Sequence, residues 1–172
     1  MKRTIAFIGG IHGVGKSTTS KLICDKTGLN YLSASEIIKW AEFNNDSADK
    51  KVFNVAQNQN RLIIGLKTMV NARNKYLLDG HYCLVNKLGT VERIPLEIFT
   101  LINPYSLNLL IDDVSLIKDR LEKRDFKIYD IDLLHYMQET EISHANEIAK
   151  VLKIPLNIFT VRDIDRIVNL LR

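Results

Sequence analysis

The sequence predicts an α/β fold of three layers, a five-stranded parallel sheet with helices on both faces. Three observations carry this expectation. Short apolar runs alternate with longer amphipathic stretches along the whole chain. The short runs are continuously apolar, which marks strands buried on both faces, as in a parallel sheet. A glycine-rich segment, "GIHGVGKS" (Gly10 to Ser17), joins the first run to the first amphipathic stretch.

Each element follows in order. "TIAFI" (Thr4 to Ile8) is the first strand, and a helix runs from Lys16 to about Lys26, closed by Gly28 as its C-terminal cap. "LNYLS" (Leu29 to Ser33) is a short second strand. Ser33 or Ser35 then caps a helix through "EIIKWAEF" (Glu36 to Phe43). "NNDSADKK" (Asn44 to Lys51) is polar and predicts a flexible flap. Beyond it Val52, Val55, Ala56, Leu62, Ile63, Leu66, Met69 and Val70 recur at helical spacing. "YLLD" (Tyr76 to Asp79) is the third strand and ends in a carboxylate. "LNLLID" (Leu107 to Asp112) is the fourth, with a helix behind it from about Asp113 to Arg124. Leu134, Met137, Ile142, Ala145, Ile148, Ala149 and Leu152 mark another long helix. "LNIFTV" (Leu156 to Val161) is the fifth strand and Asp163 to Leu171 the last helix.

The bulk properties narrow the function. A chain of 172 residues, 46% hydrophobic and 26% charged, buries enough surface to fold as one domain without disulfides or a structural metal. The net charge of +4 suits an anionic ligand. The densest basic cluster, Lys118 to Lys127, also carries acids, so nothing marks a nucleic-acid binder. Two cysteines, Cys24 and Cys83, stand far apart with no CxxC, which excludes a zinc ribbon and suggests a reducing compartment. No apolar run is long enough to span a bilayer, and the N-terminal one is too short for a signal peptide. The protein is expected to be cytoplasmic and to make no membrane contact.

"GIHGVGKS" satisfies G-x-x-x-x-G-K-[ST] in the strand–loop–helix context this motif requires. Gly10, Gly13 and Gly15 let the loop wrap closely, so that its N–H groups, with those of Val14 and Thr18 at the helix start, point at phosphate oxygens. Lys16 is placed on the β and γ phosphates and the Ser17 hydroxyl on Mg²⁺. The chain is thus expected to have the P-loop NTPase fold and to use ATP and Mg²⁺. His12, inside the loop at a variable position, is read as loop geometry. Asp79 ends a strand near the loop. It is expected to hold a magnesium-bound water or to orient a second substrate. The nearest string to a guanine-specific motif, "NKLG" (Asn86 to Gly89), lacks the acid that a GTPase needs.

With these motifs the chain resembles the adenylate-kinase-like nucleoside monophosphate kinases and their small-molecule kinase relatives. "LSASEIIKW" (Leu32 to Trp40) is similar to that family's nucleoside-monophosphate segment, which implies that Ser33, Glu36 and Lys39 bind the acceptor. "LLDGHY" resembles the family's apolar-Asp-Gly motif, and the Asp79-x-His81 spacing resembles its archaeal and eukaryotic nuclear branch. "DRLEKRD" (Asp119 to Asp125) is similar to the Arg-x-x-x-Arg pair ahead of the lid, which implies Arg120 at the adenine and Arg124 at the transferring phosphate. At i and i+4 the two arginines share one helix face. The resemblance implies one kinase-like domain over 1–172, with an acceptor-binding flap at about 33–70 and a short lid at about 124–132.

Two departures stand out. The lid segment "RDFKIYDID" lacks the further arginines of the family, with Lys127 and His144 as conceivable replacements. After Asp79 the chain reads "HYCLVNK" where the family has an aromatic-Pro-Arg string, which leaves Arg93 as a candidate for the missing arginine. His81 either binds acceptor or water or packs at the strand end. Cys83 reads as a small buried residue.

The expected function is transfer of the γ-phosphoryl of Mg·ATP to a small acceptor, foremost a nucleoside monophosphate, by a monomer or dimer, with Lys16, Asp79 and Arg124 as catalytic groups. A hydroxyl acceptor would use Asp79 as base. The rival readings are a slow regulatory ATPase that signals to a protein or ribonucleoprotein and a nucleotide-binding module without turnover.

Overall fold

A computed structural model of the chain describes residues 3–44, 55–86 and 88–172. Its strands are β1 (Ile5–Gly9), β2 (Asn30–Ser33), β3 (Tyr76–Asp79), β4 (Cys83–Val85), β5 (Val91–Arg93), β6 (Ser106–Leu110) and β7 (Leu156–Phe159). Five of them form one all-parallel sheet in the order β2-β3-β1-β6-β7. The chain fills one side of β1 and then the other, so the loops beyond the carboxyl end of β1 diverge and leave a crevice there.

Successive strand residues face opposite sides. Ile5 and Phe7 join Leu78, Leu107 and Leu109 in the core on one face, and Ala6 and Ile8 join Leu77 and Leu110 on the other. Helices α1 (Lys16–Thr27), α5 (Val114–Asp125) and α7 (Ile164–Leu171) cover the second face through Ile23, Ile117 and Ile167. Helices α2 (Ala34–Asn44), α3 (Val55–Met69) and α4 (Leu96–Ile102) cover the first through Ile37, Leu66 and Phe99. The long α6 (Ile131–Leu152) gives Leu134 and Met137 to one core and Ala145 and Ile148 to the other.

The helix ends follow their chemistry. Gly28 takes φ 77° and returns its N–H to the Cys24 carbonyl, which closes α1 as expected. Ser33 is the cap of α2, its hydroxyl accepting from the Glu36 N–H at 3.5 Å. The Asp113 carboxylate accepts from Ser115 N–H at 2.7 Å and caps α5.

Two features lie outside the sequence expectation. β4 and β5 form an antiparallel hairpin whose turn is held by the Asn86 carboxamide oxygen, which accepts from the Leu88 and Thr90 N–H groups. Helix α4 follows Pro95. Strands of three residues carry too little alternation to register as a pattern. The polar flap from Asn45 onward, and Val52, lie outside the described residues. Among the described residues no helix is long and apolar enough to cross a membrane.

The packing predicts its own sensitivity. Phe159 is fully packed at the end of β7 against the α7 face. Phe159→Ala is expected to cost ~3–5 kcal/mol of stability in urea unfolding. A loss under about 1 kcal/mol would mean that the β7 edge repacks freely.

Candidate active site

The glycine-rich loop leaves β1 and turns into the start of α1. Gly10 has φ 144°, and a Cβ there would lie 2.5 Å from the Leu110 carbonyl oxygen. Gly13 has φ 79°, and a Cβ there would lie 2.6 Å from Leu121 Cγ. Both positions are thus closed to other residues by backbone angle and by neighbours. The loop is pressed between β6 and α5, and its remaining open side faces the crevice. There the unpaired N–H groups of the first turn of α1 offer an anion site.

Lys16, only 8% exposed, donates to the Gly10 carbonyl at 2.7 Å and the Ile11 carbonyl at 3.4 Å. Burial lowers its pKa, and Asp79 and Glu141 partly offset that. The ammonium is thus held over the loop by the loop's own carbonyls.

Strand register delivers Asp79. It pairs with Ile8 on one side and Ser33 on the other, so three strand ends meet at one place. The Asp79 carboxylate is 7% exposed. One of its oxygens accepts from the Ser17 hydroxyl at 2.9 Å and from the Tyr31 hydroxyl at 3.1 Å. A hydroxyl and a carboxylate side by side at a phosphate loop form an all-oxygen donor set, and this fits Mg²⁺. Ser17 would hold the ion directly and Asp79 through water.

A cavity of about 570 Å³ opens in front of these groups. Gly13, Gly15, Lys16, Ser17, Thr18, Ser33, Asp79, His81, Arg120 and Arg124 all line it. Gly10 and Val14 do not. Gly10 acts through its carbonyl, and Val14 is a fully buried core residue. The basic pair is present but engaged: Arg120 donates to Asp112 at 2.5 Å, and Arg124 makes a two-pronged pair with Asp125 at 2.6 and 2.7 Å.

The structure places the other expected acceptor residues elsewhere. Glu36 and Lys39 are exposed on α2 and do not line the cavity. Arg93 sits on the outer side of the β4–β5 hairpin, where it pairs with Glu147 at 3.0 Å. The hairpin, unforeseen in the sequence, is what carries it away. His144 is buried and bonds the Ile94 carbonyl through Nε2 at 2.6 Å, and Lys127 lies over the Tyr129 ring. Neither reaches the cavity. Cys83 is buried, and its thiol pKa is raised by burial and by Glu141, as suits a packing residue.

Glu141 escaped the sequence reading. It is fully buried on α6, and Oε1 accepts from the Tyr82 N–H at 2.8 Å and the Cys83 N–H at 3.0 Å. It therefore fixes the chain just after Asp79. His81 Nδ1 lies 3.8 Å from the same oxygen, and the His81 ring faces the His12 ring at 4.3 Å between centroids. His12 has its pKa lowered to about 4, first by desolvation against the cavity wall, then by His81, Lys16 and Arg124, with Glu141 opposing. An acid one helical turn after Met137 and one before Ala145, inside the apolar stripe, was the available signal for Glu141.

Residues 9–134 match a family model described as AAA domain. No curated protein matches the sequence. Among solved structures the chain is similar to a gluconokinase from Sinorhizobium meliloti 1021, at 12% identity and TM-score 0.56 over 97% of this chain and 88% of that one. It is similar to a sugar kinase from Janibacter sp. HTCC2649, at 16% identity and TM-score 0.54 over 96% and 90%. It is also similar to an uncharacterized protein from Eubacterium ventriosum ATCC 27560, at 15% identity and TM-score 0.53 over 98% and 96%. At these identities the likeness shows the three-layer P-loop fold.

Two outcomes follow from this geometry. Gly10→Ala is expected to weaken Mg·ATP binding in calorimetric titration by at least about tenfold, a cost of ~1.4 kcal/mol. An unchanged Kd would show that the loop binds phosphate without this backbone conformation. The second concerns pH. Between about 6.5 and about 4 the unfolded chain protonates His12 and the folded chain does not, so folding stability falls as pH falls through this window. Thermal unfolding at pH 7 and 4.5 should therefore show a smaller acid-induced loss for His12→Asn than for the parent. Equal losses would refute the assigned titration.

Proposed function

The chain belongs to the AAA domain family, and we propose that it is an ATP-dependent kinase, moving the γ-phosphoryl group of Mg·ATP to a small-molecule acceptor. The observation that carries this reading is the contact between the Ser17 hydroxyl and the Asp79 carboxylate, 2.9 Å apart at the floor of a cavity with room beyond them. A phosphate loop alone suits any nucleotide binder. A loop with a strand-end acid and a second compartment suits phosphoryl transfer between two small molecules. The likeness to proteins named gluconokinase and sugar kinase supports the same chemistry. The two buried free thiols suit a reducing cytoplasm.

The residues divide the work. The loop N–H groups and Lys16 bind the phosphates and offset the charge that spreads over the transferring group. Ser17 directly and Asp79 through water would hold Mg²⁺, which would supply charge neutralisation at the phosphates. Arg120 and Arg124 flank the nucleotide from α5. A nucleotide acceptor brings an oxygen that is already a nucleophile and needs no base. A hydroxyl acceptor must lose a proton, and Asp79 lines the cavity where that proton is released.

ADP release from Mg·ATP, followed across a panel of small acceptors, tests this reading. Release is expected to depend on the acceptor. Lys16→Ala should lower kcat/KM by about a hundredfold or more. Asp79→Asn should lower kcat by about a hundredfold or more, with the melting temperature retained. Slow release indifferent to every acceptor would replace the kinase by a regulatory ATPase. Binding without any turnover would leave only a nucleotide-binding module.

A further inference from the structure

Resting on the phosphotransfer reading, we infer that the acceptor is an uncharged, largely apolar molecule that carries the reactive hydroxyl, and not a phosphorylated or carboxylated one. The cavity has two unlike ends. The phosphate loop, Arg120 and Arg124 line one. Beyond Asp79 the other is walled by Ile38, Leu62, Leu84, Ile94, Ile98 and Phe99. Among the described residues no lysine or arginine lines this second end. Among the described residues, three cations near this wall in the sequence are engaged or turned away: Arg61 bonds Asn58 and pairs with Glu42, Arg93 pairs with Glu147, and Lys39 faces solvent. An anion pressed against an aliphatic wall loses its hydration and gains no partner.

A second, independent feature points to what does fit. Gln59 is 8% exposed and lines the same wall, and its Nε2 makes no hydrogen bond among the described residues. A buried amide donor without a partner is costly, and a bound oxygen or ring nitrogen would satisfy it. Asn58, Ser33 and Ser35 add neutral polar atoms at the rim. The wall therefore recognises an apolar body with a neutral hydrogen-bond acceptor. Its hydroxyl lies toward Asp79. That hydroxyl oxygen forms the new bond to the γ-phosphorus. The bond from the γ-phosphorus to the bridging oxygen breaks, ADP leaves with the electron pair, and the hydroxyl proton passes to the Asp79 carboxylate.

Matched probes that differ chiefly in charge test the inference with the full chain and Mg·ATP. The pairs are adenosine with AMP, cytidine with CMP, uridine with UMP, guanosine with GMP, glucose with gluconate, and benzyl alcohol with 4-(hydroxymethyl)benzoate. At least one neutral member with an aromatic ring, a nucleoside or benzyl alcohol, should raise ADP release about tenfold or more over the acceptor-free rate, while its anionic partner does not, and stimulation by glucose alone overturns the apolar character of the acceptor. Stimulation by an anionic member equal to or above its neutral partner overturns the inference and leaves the kinase reading intact. Stimulation by no member at all overturns both. For the neutral compound that works, Gln59→Leu should raise KM about fivefold to tenfold with kcat nearly unchanged. An unchanged KM overturns the assignment of this wall to the acceptor.

Discussion

The contact on which the site depends is the hydrogen bond from the Ser17 hydroxyl to the Asp79 carboxylate, 2.9 Å long. It joins the first turn of α1 to the end of β3, two elements far apart in the chain. Its length follows from sheet order. β3 lies directly beside β1, and the Gly80 N–H donates to the Ile8 carbonyl at 2.9 Å. Had β3 and β2 exchanged places, Asp79 would stand a strand spacing of ~4.8 Å further off, beyond reach of Ser17. Parallel pairing also puts the ends of β1, β2 and β3 on one edge, so that loop, carboxylate and Ser33 converge there.

Behind this edge the structure leaves almost no slack. The ring of Tyr82 lies under Gly9, where a Cβ would come within 2.3 Å of it. The same ring packs on Phe7 and Phe99, and its hydroxyl donates to the Asn108 carbonyl. Glu141 holds the backbone of Tyr82 and Cys83 from the other side. A fully buried carboxylate is costly, and here two N–H groups compensate part of that cost. The result is a rigid seat for the turn that follows Asp79. Rigid seating of charge before substrate arrives is the main source of electrostatic catalysis.

How much of this the sequence discloses depends on whether the signal is local. Lys16, Ser17 and Asp79 are legible because each occupies a defined place in one contiguous strand–loop–helix or strand end. The three central strands β1, β3 and β6 are legible because both their faces are buried, whereas the partly exposed outer strands β2 and β7 are legible only as short runs between helical stretches. Glu36, Lys39 and Arg93 were carried by likeness in segments whose path depends on tertiary packing. The unforeseen hairpin directs Arg93 outward to Glu147, and α2 turns Glu36 and Lys39 to solvent. Glu141 stood hidden among apolar neighbours because its partners are backbone N–H groups 58 and 59 positions away, which no spacing rule connects.

Both arginines that line the cavity are paired with carboxylates. Arg120 is held by Asp112, and Arg124 by Asp125. Arg124 and the Tyr129 hydroxyl together hold the Asp125 carboxyl well below the usual carboxylate range. A ligand that recruits Arg124 must compete with this two-pronged pair, which its solvent exposure weakens. A polyphosphate anchored on Lys16 and the loop has the charge density to do it. Under the proposed phosphotransfer, competition between Asp125 and phosphate would couple the position of Arg124 to bound nucleotide.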